Sequence, residues 1–303
     1  MVVAVAGGTG FVGGGIAAEL HRRGERVVIL SHNVDAGRRR VPGGIELRPG
    51  DTTDPKTLAL ALTGVDALVI ALAFRGSPME NPRRGETFEA VDAAGTERLA
   101  KAAVAAGVGT IVYISGAGAA PDAARHWFRA KWRAEEAVRA SGLRWTIIRP
   151  TWLYGPRDAA LNRFLGFARF LPFVPVTGDG TQLLAPVFIG DLAALVADSL
   201  ADPAAANRVF EIGGPDTMTM NDVIKTALRV SGRRRPLFHA PASLLKIAAW
   251  PLQFLPRPPL TPDAVDFVNQ PAVVDTAPLL AAMPRRLTPL AEGLATYLGA
   301  GAR

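Results

Sequence analysis

Gly7-Gly8-Thr9-Gly10-Phe11-Val12-Gly13 follows directly on the apolar run Val2-Val3-Ala4-Val5-Ala6, and these twelve residues decide the fold. A run of that length without a polar interruption reads as a strand buried on both faces. An open parallel sheet binds its ligand at the carboxyl ends of such strands, which is where the glycines stand. Gly7 permits a tight turn, Gly10 lets backbone approach a pyrophosphate, and Gly13 lets the next helix pack on the sheet. That helix is expected over 13–23, apolar at Ile16, Ala17 and Leu20, with Arg22, Arg23 and Gly24 as its end. Its N-terminal N–H groups would face the phosphates. Residues 27–30 supply the next strand. A glycine triplet alone is weak, and a turn without a ligand is the competing reading. With a strand before, a helix after and a strand beyond, it becomes a dinucleotide-binding fingerprint.

The 303 residues suffice for one large domain or two unequal ones. Apolar residues make up 49% and charged residues 20%, as in ordinary globular chains. The absence of cysteine excludes disulfides, zinc–thiolate sites and cysteine nucleophiles. His21, His32, His126 and His239 show no metal-ligand spacing, so no metal is expected. There is no phosphate loop of the GxxxxGK[ST] type and no G-x-S-x-G around Ser115, which sets NTPase and hydrolase chemistry aside. No signal peptide and no apolar stretch long enough to span a bilayer are visible, so the expectation is a cytoplasmic protein. The net charge of +7 is dispersed over short groups at 38–40, 83–84, 233–235 and 285–286. That pattern reads as solvated surface and excludes a nucleic-acid partner.

Along the first half strands and helices alternate, which implies an α/β fold, a doubly wound parallel sheet covered on both faces. Further strands are expected at 45–48, 67–73, 110–115 and 145–149. Helices are expected at 55–62 (capped by Asp54, with Pro55 first), 87–106 and 122–140, and the segment 75–85 reads as a loop. Beyond Pro150 the pattern loosens. Residues 186–189, a helix over 191–200 and a strand at 209–212 return to the sheet. Helix starts follow at Thr219 with Asp222, at Thr261-Pro262 and at Thr288-Pro289. The expected division is a dinucleotide-binding domain over 1–155, its sheet completed by about 186–212, and a smaller substrate lobe from 156–185 and 213–303. The apolar segment 243–255 is too short to span a membrane. It lines a substrate cavity or docks on a partner or apolar surface, and the cavity is favoured because monomers rarely expose such patches.

The chain resembles the extended and atypical short-chain dehydrogenase/reductase superfamily along almost its whole length. It is most similar to the branch of the complex I NAD(P)H-binding accessory subunit, the NmrA-like regulators and the nucleotide-sugar epimerases. The matching residues are 7–13, Gly-Asp-Thr-Thr-Asp (50–54), Tyr-Ile-Ser-Gly (113–116), Lys131 with Ala-Glu-Glu (134–136), and Arg-Pro-Thr-Trp-Leu-Tyr-Gly-Pro (149–156). Pro-Val-Phe-Ile-Gly-Asp (186–191) and Glu-Ile-Gly-Gly-Pro (211–215) continue the match. The resemblance implies a Rossmann fold. It also implies that Gly7, Thr9, Gly10, Phe11, Val12 and Gly13 hold the pyrophosphate and that Asp51 and Thr52 border the adenine. Ala71, Leu72 and Ala73 would line the cofactor, and Pro150, Thr151 and Trp152 would flank the nicotinamide. Lys131 would bind the nicotinamide ribose. Asp51 reads equally as a turn aspartate, and Lys131 as a solvated helix lysine.

After the second strand stand Ser31, His32 and Asn33, where an NAD-specific site carries an acid. With no carboxylate there, and with Arg38, Arg39 and Arg40 nearby, the cofactor expected is NADP rather than NAD. The family's catalytic tyrosine sits four residues before the lysine, and Trp127 occupies that position. Indole donates a hydrogen bond but offers no usable proton transfer. Ser115, Lys131 and Tyr154 are the remaining catalytic candidates, Tyr154 as the substitute acid ahead of His126 and Tyr113. Two functions stay open. One is an oxidoreductase or epimerase acting on a small-molecule substrate; the other is a non-catalytic NADP(H)-binding sensor or assembly subunit.

Overall fold

The computed structural model describes residues 1–74, 78–255 and 261–298. Its centre is a seven-stranded parallel sheet built from β1 (Val2–Ala6), β2 (Arg26–Ser31), β3 (Glu46–Pro49), β4 (Ala67–Ile70), β5 (Thr110–Ile114), β6 (Arg144–Pro150) and the later strand Arg208–Ile212. The spatial order is Arg208–Ile212, β6, β5, β4, β1, β2, β3. The chain leaves β1 in one direction and resumes at β4 in the other, so the switch point lies between them. An open α/β sheet forms its ligand crevice there. Gly7 and Ala71, the residues just past β1 and β4, face each other across it: the Ala71 N–H donates to the Ala6 carbonyl at 2.9 Å.

Strand alternation divides the apolar side chains between two cores. Val3, Val5, Ile29, Val69 and Val112 join Ile16 and Leu20 of α1 (Phe11–Arg22) and Leu192, Leu195 and Val196 of the helix Ile189–Ala201. Ala4, Val28, Leu68, Ile111 and Ile147 join α3 (Pro55–Ala61), α4 (Ala94–Ala105) and α5 (His126–Arg139) through Leu58, Leu99 and Val138. Fully burying one such Leu or Ile side chain contributes about 1.5–3 kcal/mol. A separate core gathers Tyr154, Leu161, Leu165, Val174, Val223, Ile224, Leu290 and Leu294 from the second half.

Several details depart from expectation. A short helix, α2 (Val34–Arg38), follows β2, because the Asn33 side chain accepts from the Ala36 N–H and caps it. β4 ends at Ile70, three residues early. The helix expected over 87–106 opens with a π-helical stretch, Phe88–Ala93, before α4. Of the loop expected at 75–85, residues 75–77 lie outside the described residues. Thr219 and Thr261 cap their helices as expected. Thr288 does not: its N–H and hydroxyl both donate to Asp191, and the helix Leu290–Leu298 starts two residues later with Asp216 accepting from the Leu290 N–H.

Residues 243–255 enclose no cavity, although Asp266 joins Lys246 of this segment to Arg125 at the start of α5. The segment forms the helix Ala242–Leu252, of which only Ala249 is buried, while Leu244, Ile247, Trp250 and Phe254 are each more than 60% exposed. A helix apolar on all sides can bury only the side it packs with, and here the small residue faces inward. No helix among the described residues is long and apolar enough to cross a membrane.

Candidate functional site

The glycine loop is a backbone cradle. Gly7 has φ +85°, and a Cβ there would lie 2.1 Å from the Ala71 carbonyl oxygen. The Gly10 N–H closes the turn on the Gly7 carbonyl at 2.9 Å. A Cβ on Gly13 would meet that same carbonyl at 2.5 Å, so α1 packs on the turn only with glycine there. Gly10 caps α1 with no side-chain acceptor, and the first turn holds no acid. The free N–H groups and positive end of α1 therefore point out of the loop. Arg157 stands at that same end: its Nη2 donates to the Thr9 carbonyl at 3.0 Å, and its Nη1 lies 2.9 Å from where a Gly14 Cβ would be. A helix N-terminus and a guanidinium repel one another unless an anion joins them, so the donors present fit a pyrophosphate. Phe11 abuts Gly155, which ties the loop after β6 to the glycine loop.

At the end of β2 the Ser31 hydroxyl donates to the Asn33 carbonyl and accepts from its N–H. Gly37 packs against Ser31 and Thr9. His32, Arg38, Arg39 and Arg40 are exposed, and no carboxylate partner is seen for the three arginines among the described ion pairs. Asp51 accepts from the N–H and hydroxyl of Thr53 at 2.8 and 2.7 Å, as a turn aspartate does. Burial works to raise its pKa, but these bonds and nearby His32 outweigh it and hold the carboxyl below its usual range. Thr52 and Leu72 meet over Gly95. Pro150 ends β6 and accepts from the Ala117 N–H, Thr151 donates its hydroxyl to the Ala185 carbonyl, and the Trp152 carbonyl accepts from Val187. Ala73 is exposed beyond β4.

The α5 end is built of side chains, and most are engaged. Trp127 is buried in an aromatic group with Phe88, Phe128 and Phe267, its Nε1 without a hydrogen-bond partner. Lys131, one turn on, pairs with Asp92 at 2.5 Å and lies 5.5 Å from the Tyr113 ring centre. Burial alone would lower the Lys131 pKa; Asp92 and Tyr113 more than reverse this and hold the ammonium charged. Asp92 keeps one carboxylate oxygen unpartnered. The Ser115 hydroxyl donates to Glu135 at 2.6 Å, and Glu135, fully buried, also receives Arg149 and Arg139. Tyr154 is fully buried in the second-half core against Phe188, its phenol donating to the Pro289 carbonyl at 3.4 Å. Its contacts are with 188, 289 and 293, not with α5.

Sequence reading missed Asp92, Glu135 and Arg157 as site residues. Arg157 directly follows the quoted 149–156 motif, and Glu135 lies within a quoted one, so both were within reach. Asp92 gave no signal, because its pairing with Lys131 joins the π-helical stretch to α5 across 39 positions.

A crevice at the switch point, a glycine cradle opening onto an uncapped helix and a lysine at its far side define a dinucleotide-binding Rossmann protein. Residues 7–165 match the family described as NAD(P)H-binding. The chain belongs to that family, within the extended and atypical short-chain dehydrogenase/reductase superfamily. It is 31% identical over 242 residues to the (4-alkanoyl-5-oxo-2,5-dihydrofuran-3-yl)methyl phosphate reductase of Streptomyces griseus, covering 77% of this chain and 74% of that one. It is 27% identical over 262 residues to the Arabidopsis thaliana mitochondrial NADH dehydrogenase [ubiquinone] 1 alpha subcomplex subunit 9. That match covers 84% of this chain and spans 64% of the subunit's length. The fold is shared with the Escherichia coli NADPH-dependent quinone oxidoreductase QOR2, at TM-score 0.72 and 20% identity over 98% of this chain and all of that one.

Proposed function

We propose that the chain is an NADP(H)-dependent reductase whose hydride acceptor needs no proton from a protein acid. The observation that carries this reading is Trp127: the tyrosine position holds a buried indole, while the glycine cradle and the charged Lys131 persist. When bound, the dinucleotide supplies a hydride. Lys131 holds the nicotinamide ribose, Arg157 and the α1 N-terminus hold the pyrophosphate, and Arg38–Arg40 take the 2′-phosphate. Ser115 and Tyr154 are bonded elsewhere, so the proton completing a reduction comes from water. An electron-poor conjugated double bond accepts hydride without prior protonation, whereas an unactivated carbonyl needs an acid, worth about 10²–10⁴-fold in rate. The Streptomyces relative, whose name places two carbonyl groups on one carbon of a ring double bond, supports this acceptor class. The second half forms the lobe over the cleft, and the protein works in the cytoplasm.

The grip of Asp92 on Lys131 favours a second reading, a non-catalytic NADP(H)-binding subunit, in line with the likeness to subunit 9. NADPH oxidation with the wild type and Trp127→Tyr separates the readings. The wild type is expected to bind NADPH, to reduce activated enones or quinones and to leave simple aldehydes and ketones untouched. Trp127→Tyr should keep NADPH affinity within about twofold and gain carbonyl turnover. Robust wild-type carbonyl reduction, lost in Trp127→Phe and kept in Tyr154→Phe, overturns this account of the site. Tight binding with no turnover of any acceptor selects the second reading.

A further inference from the structure

The helix Ala242–Leu252 and the strand pair beside it form an exposed apolar surface away from the glycine loop. Nine of the fifteen exposed large apolar side chains among the described residues lie on 170–173 and 238–255, including Phe170, Phe238, Ile247, Trp250 and Phe254. Structure links the pieces. Leu237–Ala240 pairs in parallel with Val174–Thr177, the Phe173 and Phe238 rings lie 5.4 Å apart, and the helix follows after Pro241. Arg169 stands 5.5 Å over the Phe170 ring, and Arg235 Nε donates to the Leu171 carbonyl at 3.2 Å.

The charge of this surface is one-sided. Residues 159–178 and 223–255 hold eight arginines and lysines and no aspartate or glutamate, more than the entire net excess of +7. Along the sequence the bases look dispersed; the pairing of 174–177 with 237–240 gathers them. Three acids border it: Asp266, matched by Lys246 and Arg125, Asp179, which lies near His239, and Asp222, bonded to Thr219. We infer that this surface docks the protein on an anionic lipid bilayer, with the aromatic side chains at the headgroup boundary and the arginines on lipid phosphates. A protein partner would tolerate carboxylates in the patch, which its own lysines would pair. A lipid surface of uniform negative charge favours a patch whose bases outnumber its bordering acids, over a screening distance of about 10 Å. Interleaved Trp, Phe and Leu with bases, with no spanning helix among the described residues, is the composition of an interfacial anchor.

Flotation of the full chain with vesicles of phosphatidylcholine alone, or with one-third phosphatidylserine, tests this. Binding is expected to the anionic vesicles and to be at least about tenfold weaker on neutral ones or in high salt. Trp250→Ser with Phe254→Ser, and separately Arg233→Gln with Arg234→Gln and Arg235→Gln, should each reduce binding by about tenfold or more. All these positions are solvent-accessible, so melting temperature and NADPH affinity should stay at wild-type values. No binding to anionic vesicles, or binding that both variants leave intact, overturns the inference. So does light scattering in which the variants turn a dimer into a monomer, or a patch-dependent complex with a soluble protein when vesicles are not bound.

Discussion

The two ends of the crevice are made of different material. The glycine-loop end is backbone: a turn at Gly7, an uncapped helix at Gly10 and close packing at Gly13, with Gly7 and Gly13 leaving no room for a side chain. The α5 end is side chain, and its groups are spent on one another: Lys131 on Asp92, Ser115 on Glu135, with Trp127 sealed among aromatics. Holding a dinucleotide and delivering a proton are therefore separable properties. The first depends on a chain path that a few glycines enforce. On the proposed reading, the second depends on which side chain stands at one turn of α5.

The largest effect expected from disturbing this contrast is on stability at the α5 end. Lys131→Met would strand the Asp92 carboxylate, whose side chain is 3% exposed, at a cost of about 3–5 kcal/mol. Lys131→Met with Asp92→Leu removes both charges and should recover most of that loss in chemical denaturation, while NADPH binding stays weakened. A single-variant loss below about 1 kcal/mol would show that the pair is well hydrated and that Lys131 is free for the ribose.

The same contrast explains what could be read in advance. The sheet, α1 and the glycine roles were legible because apolar runs and glycines state backbone constraints directly. The doubly wound class followed from the alternation of strand and helix. The spacing of Trp127 and Lys131 was legible as one turn of α5, and both lie on that helix. The partners of Lys131 and Ser115 were not, since Asp92 and Glu135 reach them through tertiary packing that no local pattern encodes. Tyr154 lies in an otherwise apolar core, where sequence placed it in a catalytic loop. The exposure of 243–255 was not legible either: composition says that a helix is apolar and says nothing of whether a neighbour exists to cover it.

Smaller effects are expected at the glycine-loop end, where the side chains are exposed. Replacing Arg38, Arg39 and Arg40 together by alanine should lower the preference for NADPH over NADH by roughly tenfold, the loss of one charge-assisted phosphate contact. Calorimetry with both cofactors checks it, and equal wild-type affinities would end the NADP assignment. Arg157→Gln should weaken both cofactors alike, by roughly fivefold, because the pyrophosphate is common to them and the guanidinium is screened by water. A change confined to NADPH would move Arg157 to the 2′-phosphate instead.

The smallest expected effect is none at all, and it separates this site from one with a working tyrosine. The Lys131 pKa is raised above its ordinary 10.5. Its charge and the stability it contributes are therefore complete below about pH 10.5 and lost only as pH rises through the folded value. Burial likewise pushes the phenols of Tyr113 and Tyr154 upward, Tyr154 with help from the Asp191 carboxylate, so both stay protonated. NADPH affinity and any turnover should then be flat between about pH 7.5 and 9.5, above the range in which ordinary histidines titrate. Trp127→Tyr places a phenol one turn from the Lys131 ammonium and should introduce an inflection in that window. An inflection already present in the wild type, and removed by Tyr113→Phe or Tyr154→Phe, would identify that tyrosine as an acid and return the α5 end to working catalysis.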